Sequence, residues 1–424
     1  MTKTLPREKY EAYASLLCEE LVPAMGCTEP IAIAYAAARA KEVLGSLPEK
    51  CKISVSGNII KNAKSVVVPH TNGMRGIEVA LIAGIISGDS SAKLEVLSRI
   101  GKDKISLIGE LREKLPIELC VSDSDNAFDI AVTLISGADS SLVRILGRHT
   151  NVVLVKKNDE VIYEGTDERE NEKKHTALSV AEIVEFADTV DIGDVKEVLD
   201  RQIEYNMAIA EEGLRGSWGA SIGQVYLSAY APDISIKAKA YAAAGSDARM
   251  NGCELPVIIN SGSGNQGMTA SVPVIVYWQE LGLEKDKLYR ALCVSNLITL
   301  HIKHGIGTLS AYCGAVAAGA AAGAGIAYLY GGGLREIAHT LVNALAIDSG
   351  LICDGAKASC AAKIATAVEN GILGFNLFRA GKQFVGGDGI VKKGVENTIE
   401  NVCRLARDGM KDTDREILNI MVEK

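Results

Sequence analysis

The sequence predicts an α+β fold of two domains, a small mixed α/β domain followed by a larger helical one. Strand-like segments, alternating or continuously apolar, are confined to residues 45–168. From about Thr176 onward, stretches such as SVAEIVEFADTV, VKEVLDRQIEYNMAIAEEGL and LREIAHTLVNALAID carry helical periodicity instead. Between the two regions, Thr166 to His175 (TDERENEKKH) is charged enough to read as a solvated linker.

The elements follow in order. Pro6 to Leu21 reads as an amphipathic helix, Val22 to Pro30 (VPAMGCTEP) as a loop, and Ile31 to Leu44 as a second helix. Pro30 suits the first turn of that helix and Gly45 suits its end. Residues 1–44 are expected to pack on the helical domain. Next, CKISVSG and SVVVP read as strands, and HTNGMRG as a turn leading into an apolar helix from Ile77 to Ile86. IELCVSD is a further strand, and NVVLVKKNDEVIYEG is a hairpin turning near Lys157-Asn158-Asp159. The helical domain is assigned residues 169–424, with Gly-rich turns interrupting its helices.

Composition narrows the function. Apolar residues make up 48%, charged residues 23% and aromatic residues only 5%, while Gly and Ala abound. That mix favours closely packed helices over a β-sandwich. A net charge of −8, with Lys and Arg scattered, argues against a nucleic-acid partner. The N-terminus has charges where a signal peptide has its apolar stretch, so a cytoplasmic protein with reduced cysteines is expected. Ala311 to Tyr330 is uncharged and long enough to span a bilayer, yet its Ala and Gly residues suit tight helix contact, and no membrane helix is expected.

Of the ten cysteines, Cys313, Cys353 and Cys360 stand out by context. Cys313 precedes Gly314 and a run of tiny side chains, and Cys353 precedes Asp354-Gly355, a turn able to wrap an inorganic centre. Soft thiolates select iron–sulfur clusters, zinc or Cu(I). Zinc sites usually bring a close pair of cysteines two residues apart, which this chain lacks. Cys18, Cys51, Cys120, Cys253, Cys293 and Cys403 read as core or ordinary surface.

Six motifs in order are GCTEP at 26–30, HTNGMRG at 70–76, GSDARMNG at 245–252, SGSGNQGMTASVPV at 261–274, AYCGAVAAG at 311–319 and LICDGAKASC at 351–360. On these, the chain resembles the L-cysteine desulfidase family, relatives of the iron–sulfur L-serine dehydratases, over nearly its whole length. The resemblance implies a [4Fe–4S] cluster held by Cys313, Cys353 and Cys360 with one iron open to substrate. It also implies release of sulfide, ammonia and pyruvate from L-cysteine. The dehydratases resemble a form with a cysteine near the C-terminus that can occupy the open iron. Here the last cysteine is Cys403. That favours the desulfidase branch and leaves L-serine open as substrate.

β-Elimination needs a base for the Cα proton, stabilisation of the resulting charge, and help for the leaving group. Cys27, just before a helix start, is the candidate base, because helix amide dipoles lower a thiol's pKa. A resting fourth cluster ligand and a structural cysteine are its alternatives. Glu29 orients a group or caps the helix. The SGSGNQG turn, with Ser261, Ser263, Asn265 and Gln266, is suited to a substrate carboxylate. Arg249 is a second carboxylate partner. His70, Thr71, Asn72 and Arg75 are candidates to reach the site across the domain interface. His304, three residues from His301, is a further candidate. Lys303 and Lys357 keep a pyridoxal phosphate route open. The competing functions are a hydroxyl-eliminating dehydratase and a non-enzymatic membrane or sensor protein. The expected partner is an amino-acid substrate, and a homodimer is compatible with the sequence.

Overall fold

The computed structural model describes residues 5–124, 126–166, 178–307 and 309–422. It is an α+β protein with a small sheet region and a larger helical region. Most of the expected linker, Thr166 to His175, lies outside the described residues.

The six-stranded sheet comprises β2 (Lys50–Val55), β3 (Ile117–Val121), β4 (Asp129–Ser136), β5 (Asp139–Leu146), β6 (Val152–Lys157) and β7 (Glu160–Glu164), in spatial order β3-β2-β4-β5-β6-β7. Only β2 and β3 are parallel. The expected β6–β7 hairpin is present, with Asn158 at φ 53° in its turn. The β4–β5 hairpin, DIAVTLIS and DSSLVRIL, is an addition to the strands expected from sequence. SVVVP differs in the other direction: Val67 makes only an isolated bridge to Arg75, because the chain turns at once into HTNG.

Helix α1 (Arg7–Glu20) packs on the helical region, as expected for residues 1–44, but α2 (Thr28–Leu44) does not. Helix α2 lies between the sheet and α4 (Ile77–Ser87), buried along almost its whole length. Its small side chains explain the placement: a Cβ on Gly84 would sit 2.2 Å from the Ala34 carbonyl oxygen, so α2 and α4 touch backbone to backbone. Short α3 (Gly57–Ala63) and α5 (Lys102–Lys114) complete this half.

The helical region runs α6 (Val180–Thr189), α7 (Ile192–Arg215), α8 (Ile222–Ala229), α9 (Ile234–Met250), α10 (Gly264–Leu281), α11 (Lys285–Ile306), α12 (Gly314–Leu329), α13 (Leu334–Ile347), α14 (Cys360–Arg379), α15 (Val395–Arg404) and α16 (Lys411–Val422). Strands β1 (Pro23–Met25) and β8 (Pro256–Ile258) pair antiparallel and tie the GCTEP loop to the helical half. No helix among the described residues is long and apolar enough to cross a membrane. The uncharged run is instead α12, buried among α10, α11, α13 and α14.

Contacts between α12 and α14 are main chain to main chain. A Cβ on Gly319 would lie 2.3 Å from the Ala367 carbonyl, and one on Gly371 would lie 2.0 Å from the Gly319 carbonyl. Gly319 meets Ala367 and Gly323 meets Gly371, so the two helices run parallel and their N-termini share one end. Gly371→Ala should therefore force the pair apart and cost about 1–3 kcal/mol, the usual penalty for overpacking. Thermal unfolding of the variant measures it, and an unchanged melting temperature would mean the helices separate freely.

Candidate active site

Four helix N-termini meet at one partly open cavity, those of α2, α10, α12 and α14. Each begins with a residue singled out in the sequence. Cys27 is the N-cap of α2, Ser263 of α10 and Cys313 of α12, and Cys360 opens α14. The cavity, of about 110 Å³, is lined by these four together with Glu29, Arg249, Ser261, Asn265, Gln266 and Cys353. Unsatisfied N–H groups give each helix start partial positive charge. Placing parallel N-termini side by side is electrostatically costly unless an anion sits among them.

The SGSGNQG turn is held from behind. Asn296 on α11 accepts a hydrogen bond from Asn260 Nδ2 at 3.0 Å, and Asn260 Oδ1 accepts one from Ser261 Oγ at 2.9 Å. Ser263 Oγ caps α10 by accepting from the Gln266 N–H at 3.4 Å. Gly264 lets Arg249 approach: a Cβ there would lie 2.4 Å from the Arg249 Nε. Arg249, 2% exposed, donates from Nη1 to Asn265 Oδ1 at 3.1 Å. Among the described residues its Nε is buried without a partner, as are Gln266 Oε1 and His149 Nε2, all on side chains that line the cavity. Buried polar atoms are rarely left so, and here they line a space a polar ligand would fill.

A short antiparallel bridge joins Tyr312 to Ile352. The Cys313 N–H donates to the Leu351 carbonyl at 2.9 Å and the Cys353 N–H to the Ala311 carbonyl at 2.6 Å. Side chains alternate along extended backbone, so Cys313 and Cys353 share the face opposite Tyr312 and Ile352. The following turn is pinned by Asp354, which pairs with Lys357 and Lys363, and by Lys363 donating to the Ile352 carbonyl at 2.6 Å. It needs Gly355: φ is 96°, and a Cβ would strike the Lys61 carbonyl at 2.1 Å. That turn delivers Cys360, whose thiol donates to the Gly355 carbonyl at 3.6 Å. The Cys353 pKa is lowered, chiefly because the Cys313 thiol donates to it, with the charges of Lys61 and Lys303 assisting. The same hydrogen bond and burial raise Cys313, and burial raises Cys360.

Cys27 departs from expectation. Its pKa is pushed well above that of an ordinary thiol, first by burial and then by the Glu29 charge, against the opposing pull of the Arg249 charge and the Glu29 N–H. The thiol donates to Glu29 Oε2 at 3.1 Å, an oxygen that also accepts from Thr28 Oγ1 at 3.2 Å. At rest Cys27 is a protonated donor with a carboxylate acceptor, not a thiolate.

The HTNGMRG residues stand away from this cavity. His70 contacts Glu254 through Nδ1 at 3.2 Å and Met25 Sδ through Nε2 at 3.0 Å. Thr71 Oγ1 donates to the Val68 carbonyl at 2.7 Å, Asn72 lines a separate groove, and Arg75 donates to the Ser65 carbonyl at 2.9 Å. The turn supports GCTEP from outside, with Pro69 against Gly26, whose φ of 63° and 2.3 Å Cβ clearance admit only glycine. His301 pairs with Glu396 at 2.7 Å, and His304 lines a neighbouring cavity. Three site residues escaped the sequence reading in their present setting. His149, from the β5–β6 turn, and Lys303, from α11, line the cavity, while Lys61, from α3, packs against the Gly355 turn. Burial lowers the Lys303 pKa to about 8, against the pull of Cys353 and Cys313.

Residues 110–419 match the serine dehydratase alpha chain family. The chain belongs to that family. The serine dehydratase-like assignment makes it a lyase, in agreement with the kinship read from the motifs. Among its relatives are UPF0597 proteins. That of Desulfitobacterium hafniense is 57% identical over 98% of this chain and 97% of the relative. That of Lachnoclostridium phytofermentans is 50% identical over 97% and 100%, and that of Treponema denticola 46% over 99% and 100%. This serine dehydratase-like chain is thus matched by them over nearly its whole length, the sheet half that supplies Cys27 and His149 as well as the helical half that supplies the other three cysteines.

Proposed function

We propose that this lyase is iron–sulfur dependent and independent of pyridoxal phosphate, and that it eliminates the β-substituent of L-cysteine to give hydrogen sulfide, ammonia and pyruvate. The convergence of three thiols and Cys27 on one cavity ringed by helix N-termini carries this reading. The donor set fits a polynuclear centre. Three thiols lining one cavity supply the soft donors that such a cluster takes. Of the two lysines open to Schiff-base chemistry, Lys357 is engaged by Asp354 and lies outside the cavity lining.

Cys313, Cys353 and Cys360 would hold a [4Fe–4S] cluster, which would supply Lewis-acid chemistry to the departing β-substituent. The chain's own residues do the rest. Arg249 and the N–H groups at the start of α10 hold the substrate carboxylate. Glu29 takes the Cys27 proton, and the thiolate so formed takes the Cα proton. The C–H electron pair becomes the Cα–Cβ double bond, and the Cβ–S pair leaves with sulfur. The aminoacrylate released tautomerises to the imine, which water hydrolyses to pyruvate and ammonia.

Family membership favours one second reading, with L-serine as substrate and the hydroxyl as the leaving group. Assays of the anaerobically reconstituted enzyme decide between them. L-Cysteine should give equal amounts of sulfide and pyruvate at a higher kcat/KM than L-serine gives pyruvate. The reverse preference would make the chain a serine dehydratase. Activity surviving aeration and chelation, or appearing with pyridoxal phosphate alone, would defeat the cluster reading.

A further inference from the structure

Helix α16 lies on the surface. None of Lys411 to Met421 is fully buried, and Ile420 is 63% exposed. The chain just before it is anchored on the helical half: Ser310 Oγ donates to the Ala406 carbonyl at 3.0 Å, and Arg407 Nη1 donates to the Gly305 carbonyl at 3.1 Å. From there α16 reaches across to α3 in the sheet half. Asp414 pairs with the Lys61 ammonium at 2.5 Å, and Lys64 Nζ donates to the Met421 carbonyl at 2.7 Å. Leu418 packs so closely on α3 that a Cβ on Gly57 would lie 2.3 Å from its Cδ2. Asp414, Leu418 and Met421 are spaced four and three residues apart, as one helix face requires, and so are Gly57, Lys61 and Lys64.

Helix α3 has the candidate site behind it. The Lys61 carbonyl is the group that stands against Gly355, in the turn between Cys353 and Cys360. Asn62 lines the cavity, and its carbonyl accepts from the Cys27 thiol at 3.9 Å. The Lys61 side chain is 2% exposed, and Asp414 is its one ion-pair partner among the described residues. Removing one member of a buried ion pair leaves the other charge uncompensated. The Lys61 charge also reaches Cys353, so a Lys61 released by Asp414 is drawn toward the turn it supports. One residue thus carries both the charge that α16 grips and the carbonyl that backs the cysteine turn.

We infer that Asp414 is a positioning residue: by gripping Lys61, α16 presses α3 onto the turn that presents Cys353 and Cys360, and so fixes where those two thiols stand. The inference deepens the proposed cluster site, which rests on the same two thiols, but it concerns the turn itself and is testable with no cluster bound.

Hydrogen exchange of the iron-free full-length chain, followed by mass spectrometry, tests it. Asp414→Asn should speed exchange about tenfold in residues 57–64 and 353–360, a local opening, and leave β5 and α7 at wild-type rates. Asp414→Glu should restore most of the protection. Because the effect runs through Lys61, Asp414→Asn should add little in a Lys61→Met background. In the anaerobically reconstituted enzyme, Asp414→Asn should release iron to a ferrous chelator about tenfold faster than the wild type, the scale of losing a group that orients metal ligands. Faster exchange confined to α16 would make that helix an appendage, and faster exchange everywhere would make Asp414 a matter of general stability. A full effect of Asp414→Asn in the Lys61→Met background would break the link through Lys61. Each of these overturns the inference. If the wild type takes up no iron while the exchange pattern is as expected, the cluster reading fails and the brace stands.

Discussion

Replacing any one of Cys313, Cys353 or Cys360 by alanine should strip most of the iron bound on anaerobic reconstitution and leave no measurable turnover. The three thiols reach the cavity by separate devices, a helix N-cap, a two-residue bridge and the first turn of a helix. No other cysteine lines the cavity except Cys27, which is engaged with Glu29. The loss of one ligand therefore cannot be covered by a neighbour shifting its rotamer. Iron and acid-labile sulfide analysis, with visible absorption, measures the effect before any assay is run. Wild-type iron content in one variant would remove that residue from the ligand set. The protein fold should survive, because each Cys→Ala change deletes only a thiol at the edge of a cavity.

The second large effect concerns proton removal. Cys27→Ser should keep the iron and its spectrum but lower kcat by about 10²–10⁴, the range for losing a positioned general base. Exchange of the Cα hydrogen of L-cysteine with solvent deuterium should fall in parallel. Glu29→Gln should give a comparable loss, since the Cys27 thiol then has no carboxylate to take its proton. The two changes act on one proton path, so the double variant should be little worse than either alone. A resting cluster ligand would behave otherwise, with Cys27→Ser altering the spectrum before substrate is added. Exchange near the wild-type rate in Cys27→Ser would end the base assignment.

Legibility in the sequence followed the range of the interactions. Helix starts near Cys27 and Ser263 are local, set by Pro, Gly and Ser within a turn, and can be read directly, whereas the segment at Cys313 reads only as an uncharged run of Ala and Gly. The hairpin at Asn158 is likewise local. The β4–β5 hairpin was less visible because its turn, Gly137-Ala138, lacks Asn-Gly or Asp-Gly chemistry. Lys303 sits in ITLHIKHGIG, where every second or third residue is polar, and nothing local marks it as the buried one. His149 and Lys61 meet the site only because the sheet half docks on the helical half. HTNGMRG was misplaced for the converse reason: its polar residues serve a turn that braces Gly26 from outside. The Cys27 pKa could not be read at all, since its direction depends on burial that local sequence does not report.

The glycine contacts between α12 and α14 bear on the shape of the site. With main chains touching, neither helix can move toward the other, and both carry a cysteine at the same end, Cys313 and Cys360. The packing of tiny residues along one helix pair thereby fixes, at a distance from the cavity, how far apart the backbones that present two of its thiols stand.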